Sequence, residues 1–128
     1  MMQPTIIRPA HILVVDAYPG WRVSVCRALE EAGYAVWTAH TGGRGLELCA
    51  GGSLCFDLLL TAVEIADMTG RELARHMRTI CPGMRVMFTA WADDEAPVRG
   101  VLKKPFSLAR LERTVWRALH PRGRPVSA

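Results

Sequence analysis

No apolar run in this 128-residue chain approaches the roughly eighteen residues needed to cross a bilayer, although half of its residues are hydrophobic. The opening stretch MMQPTIIRPAH lacks a basic region followed by an apolar core, so no leader is read there and a soluble, cytoplasmic protein is expected. No CxxC pair occurs. The four cysteines, Cys26, Cys49, Cys55 and Cys81, stand singly among apolar neighbours and are read as reduced, mostly buried thiols, not as metal or redox groups. His11, His40, His76 and His120 show no ligand spacing with them, which argues against a zinc site. Internal repeats and low-complexity linkers are also missing. One domain over residues 11–120 is expected, with flexible tails at 1–10 and 121–128.

The formal charge of +4 is unevenly placed. Basic and acidic residues balance up to position 106, whereas Arg110, Arg113, Arg117, Arg122 and Arg124 face only Glu112 beyond it. A basic end can attract nucleic acid or an acidic protein face, but a charge run on a terminal helix is more often only a solvated surface.

Periodicity gives the architecture. HILVVD (11–16) is a β-branched run without polar alternation, as in a parallel strand covered on both faces. Pro19 suits a first helical turn, Trp21, Val25, Ala28, Leu29 and Ala32 recur on one face, and Gly33 can end the helix. AVWTA (35–39) reads as strand, 41–50 as a glycine-diluted helix, and FDLLLTA (56–62) as a third strand. Thr69 and Glu72 form a T-x-x-E capping box for a helix buried through Leu73, Met77 and Ile80 and stopped by Pro82 and Gly83. RVMFTA (85–90) and GVLKK (100–104) are further strands. Ser107 caps a last helix with Leu108, Leu111, Val115 and Leu119 inward. This alternation predicts a doubly wound, five-stranded parallel sheet.

In such a sheet the functional crevice lies beyond the carboxyl ends of the strands, here at Asp16, Ala62, Thr89 and Lys104. ILVVD, DLLLTAVEIADMTGREL, VMFTA and KKPF, in that order, resemble the receiver domain of bacterial response regulators over about residues 11–120. The resemblance implies a CheY-like, flavodoxin-like (βα)5 fold and a place in two-component phosphorelay signalling. It also implies two acids after the first strand that hold magnesium, an aspartate after the third that takes phosphate from a histidine kinase, a Ser/Thr after the fourth and a Lys-Pro after the fifth. Asp16, Thr89, Lys104 and Pro105 match. Ala17 replaces the second acid, and Ala62 stands at the phosphoacceptor position.

Phosphoryl transfer of this kind needs a carboxylate nucleophile and a hard cation held by oxygen ligands. A methyl group supplies neither. With Asp16 as the remaining side-chain ligand, helped at most by the Glu64 carbonyl, weak or absent magnesium binding is expected. Asp57 begins the third strand, about 16 Å from its functional end. Glu64 and Asp67 lie in the loop after Ala62 and are the alternative acceptors.

Two departures concern output. Val101 occupies the position where the family commonly carries a switching Tyr or Phe. The segment 92–100, with Pro97 and Gly100, is about two helical turns short, so the fourth of five helices should be shortened or missing and the segment mostly irregular. Trp91 can cover the empty pocket or anchor a partner. Trp116, with Arg110, Arg113 and Arg117 on a more exposed face, forms a candidate partner surface. The resulting expectation is a non-enzymatic pseudo-receiver acting by protein-protein interaction with a histidine kinase or downstream regulator, with Lys104 paired to Asp16. The alternatives are a working receiver using Glu64 or Asp67, and, less favoured, a nucleic-acid-associated module. Partner identity and oligomeric state stay open.

Overall fold

The computed structural model describes residues 9–51, 55–91 and 101–120. Five parallel strands, β1 (His11–Val15), β2 (Ala35–Ala39), β3 (Leu58–Ala62), β4 (Arg85–Trp91) and β5 (Val101–Lys104), form one sheet in the order β2-β1-β3-β4-β5. The described helices are α1 (Pro19–Glu31), α2 (Gly42–Ala50), α3 (Gly70–Ile80) and α4 (Leu108–Leu119). The expected shortened helix falls on residues 92–100, outside the described residues. The chain reverses its direction of travel across the sheet between β1 and β3, the switch point at which doubly wound sheets open a crevice.

Full burial of β1 and β3 explains their unbroken apolar runs. Leu13, Val15 and Leu59 feed one core beneath α2 and α3, while Ile12, Val14, Leu58 and Leu60 feed the other beneath α1 and α4. Local signals set the helix ends. Pro19 opens α1, and Gly33, at φ +101°, closes it with Gly33 N–H on Glu30 O and Tyr34 N–H on Leu29 O, the paired bonds of a Schellman motif. Thr69 and Glu72 form a reciprocal capping box on α3, and Ser107 Oγ accepts from Arg110 N–H at the start of α4.

Three expectations need correction. Leu108 is 47% exposed, because it is the first residue of α4 and a helical side chain leans back toward the N-terminus, past the sheet. Ile80, the last residue of α3, is 41% exposed for the related reason that a terminal position has packed neighbours on one side only. The thiols are not all reduced and buried: Cys55 is exposed and disulfide-bonded to Cys81. β3 begins and α3 ends at the same edge of the sheet, which brings these residues together across 26 positions of sequence. The Ala10 carbonyl accepts the Ala35 N–H just ahead of β1 and β2.

Candidate functional site

Asp16 follows β1 and Lys104 ends β5, so the parallel sheet delivers a carboxylate and an ammonium to one edge from strands 88 residues apart. Lys104 Nζ donates to Asp16 Oδ2 at 2.7 Å, with both residues buried. Asp16 Oδ1 accepts the Tyr18 N–H at 2.9 Å, and the Asp16 carbonyl accepts from Arg22 Nη1 at 2.6 Å. Both carboxylate oxygens are therefore engaged within the protein.

Aromatic rings close over the ammonium. Lys104 Nζ lies 4.9 Å from the centre of the Trp91 ring, 5.2 Å from Tyr18 and 5.8 Å from Trp21. These distances suit cation–π attraction. Trp91 meets Tyr18 and Trp21 edge-on, and Trp21 packs on Phe106. The cavity left among Asp16, Trp21, Thr89, Lys104 and Phe106 is about 10 Å³, no more than a single water requires.

Ala62 pairs in register with Thr89, and both are buried. The Ala62 carbonyl accepts from Thr61 Oγ1 at 3.0 Å. Gly70 opens α3 so close to that carbonyl that a Cβ would collide with it, and this approach fixes the loop between β3 and α3. Ala17 is exposed, beside Asp16 in sequence but with only a methyl group. Pro105 follows Lys104 through a cis peptide bond and is exposed, while Val101 is half-buried at the start of β5.

The loop acids divide. Asp67 Oδ1 and Oδ2 accept the Gly42 and Gly43 N–H groups, each at 2.9 Å, across the start of α2. Those two backbone bonds hold its carboxyl below the ordinary range. Glu64 is exposed and forms an isolated bridge to Thr69. Asp57 lies at the opposite edge, where its carboxylate accepts the His11 N–H at 2.7 Å.

The site does not suit a hard cation as arranged. Magnesium requires several oxygen ligands in near-octahedral array, whereas Asp16 is committed to Lys104 and Tyr18 and Ala17 has no donor. Among the described residues, no group of three or more His, Cys, Asp or Glu is placed to hold a metal.

On α4, Arg110, Arg113, Arg117 and Trp116 are exposed. The Trp116 ring stacks on His120 at 4.2 Å. This surface is separate from the Asp16–Lys104 site. Sequence reasoning missed Tyr18 and Trp21 as parts of the site. Their only signal was the placement of two aromatics just after the first strand.

The family profile of the response regulator receiver domain matches residues 12–115. The response regulator receiver protein CpdR of Brucella abortus is 34% identical over 116 residues, covering 84% of this chain and 95% of that protein. The sensor kinase CckA of the same organism is 32% identical over 116 residues, and the chain spans only 12% of its length. It likewise spans 18% of the Escherichia coli transcriptional regulatory protein GlrR. Among solved structures, the chemotaxis response regulator CheY4 of Vibrio cholerae superposes with a TM-score of 0.76 at 26% identity, covering 87% of this chain and 99% of that one. Among the described residues, no helix is long and apolar enough to cross a membrane. The match over most of the chain, together with the 2-1-3-4-5 sheet that carries Asp16, Thr89 and Lys104 at one edge, establishes that this chain belongs to the response regulator receiver family of two-component signalling.

Proposed function

We propose that the chain is a phosphorylation-independent pseudo-receiver that acts by binding a protein partner and has no enzymatic activity of its own. The observation that carries this reading is the self-saturated site: Lys104 is already neutralised by Asp16 and roofed by Trp91, Tyr18 and Trp21, while position 62 carries a methyl group. A ligand shifts a conformational equilibrium only by its differential affinity for two states. Without a covalent phosphate for Thr89 and Lys104 to follow, the domain rests in one state, and its signalling is set by abundance and by its partner. The partner is a histidine kinase or a downstream regulator, and the exposed Trp116, Arg110, Arg113 and Arg117 of α4 are a surface for an acidic protein face.

The competing reading assigns phosphate acceptance to a loop carboxylate. Asp67 is poorly disposed to attack phosphorus because both its oxygens already accept backbone N–H groups. Glu64 is exposed, and among the described residues no group of three or more His, Cys, Asp or Glu is placed to hold a cation. Treatment with acetyl phosphate and magnesium, read by intact-protein mass, separates the two readings. The pseudo-receiver gains no phosphate. A phosphate mapped to Glu64 or Asp67 would overturn it. Ala62→Asp alone should restore weak phosphorylation at best, and Ala62→Asp with Ala17→Asp should recover magnesium dependence.

A further inference from the structure

Three of the four cysteines meet at the edge of the sheet opposite the Asp16–Lys104 pair. Cys81 terminates α3, Cys49 lies in the last turn of α2, and Cys55 precedes β3. Cys81 is bonded to Cys55, with Cα atoms 5.5 Å apart, and its sulfur also lies 3.5 Å from Cys49 Sγ. One buried sulfur therefore has two sulfur neighbours. These differ in access: Cys49 is 1% exposed, whereas Cys55 is open to solvent, 3.7 Å from the Ile80 carbonyl oxygen.

We propose that this cluster is a thiol–disulfide exchange site. Cys81 changes partner from Cys55 to Cys49, and the thiol thereby released at Cys55 is a modification site for low-molecular-weight disulfides of the oxidised-glutathione class. In the first step Cys49 gives up its proton to water and its thiolate attacks Cys81 Sγ. The Cys49–Cys81 bond forms as the Cys55–Cys81 bond breaks, and the electron pair leaves on the Cys55 sulfur, which takes a proton from water. This isomerisation needs no oxidant or reductant. In the second step the Cys55 thiol loses its proton to water and the thiolate attacks the small disulfide, forming a mixed disulfide and releasing the other half as a thiolate that takes a proton back.

Access decides which sulfur meets the external reagent. Cys49 and Cys81 are sealed beneath α2 and α3, and Cys55 is the member of the cluster at the surface. Burial raises the Cys49 thiol above its ordinary range, so the internal step is slow near neutrality and quickens as pH rises. Cys26 belongs to α1, outside the cluster, and serves as an internal control. The inference is independent of whether the receiver site accepts phosphate.

The test is non-reducing peptide mapping of the purified full chain after incubation with oxidised glutathione. Wild type should yield Cys55–glutathione in molecules that also contain Cys49–Cys81, faster at alkaline pH. Cys49→Ala retains the Cys55–Cys81 bond but removes the exchanging thiol, and should lower the Cys55 adduct by about tenfold or more. Cys55→Ser changes an exposed position, so its fold is secure, and with both remaining sulfurs of the cluster buried it should gain no glutathione on Cys49 or Cys81 under the same treatment. An undiminished adduct in Cys49→Ala, modification confined to Cys26, or glutathione on Cys49 or Cys81 in Cys55→Ser would each overturn the proposal.

Discussion

The two edges of the sheet differ in the opposite sense from what their residues suggest. The carboxyl edge holds Asp16, Thr89 and Lys104, yet its cavity is about 10 Å³. The amino edge, around Tyr34, Asp57, Arg85 and His120, has a hollow of about 550 Å³ but, among the described residues, no buried ion pair. Space and chemistry have separated. At the carboxyl edge the charged groups satisfy one another: carboxylate with ammonium, ammonium with rings, and the Asp16 carbonyl with Arg22. A crevice that elsewhere in the fold class receives a ligand is here packed as a polar core.

If that comparison is right, substitutions at the carboxyl edge act first on stability. Lys104→Met or Asp16→Leu alone should cost about 3–5 kcal/mol, because each strands a buried charge. The double substitution should recover most of that loss. Urea unfolding of the three variants checks it, and an equal loss in the double variant would show that the pair is held for reasons beyond mutual neutralisation. Trp91→Ala removes part of the roof over the ammonium and should cost about 2 kcal/mol, within the range of a desolvated cation–π contact. Thermal unfolding measures it.

A smaller effect separates Asp67 from Asp16. Asp67→Ala removes the acceptor for two N–H groups at the start of α2 and should cost about 1 kcal/mol, as loss of a helix cap does. The pH dependence has a definite sign. The Asp67 carboxyl is held below its usual 3.8 by the Gly42 and Gly43 N–H groups. Its contribution is therefore complete above that value and is lost as pH falls through the lower folded-state value. Wild type and Asp67→Ala should converge in stability under acid. The smallest expected change is Thr69→Ala, which opens the α3 capping box and should cost up to about 1 kcal/mol.

Local signals made most of the fold readable. β1, β3 and β4 are short, mainly apolar runs, Pro19 and Gly33 bracket α1, and Thr69 with Glu72 starts α3, all within a few residues of what they specify. What stayed hidden depends on distant parts of the chain. The aromatic roof joins Tyr18 and Trp21 to Trp91, the acceptor role of Asp67 spans 24 and 25 residues to Gly43 and Gly42, and Cys55 meets Cys81 across 26. Spacing within a motif says nothing about such contacts, because they follow from the stacking of α2 and α3 and from the order of the strands. The outward turn of Leu108 and Ile80 was hidden for another reason: helical periodicity specifies a face but not where the sheet beneath it ends.

The self-saturated site is tested most directly by backbone amide NMR of the wild-type chain with and without magnesium and beryllofluoride, a phosphoryl mimic. The spectra should superimpose, with Thr89, Val101 and the residues of α4 unmoved, because the Ala62 side chain offers no oxygen and Lys104 keeps Asp16. Widespread shifts at those positions at millimolar doses would contradict this and mean that a working switch survives behind the Trp91 roof.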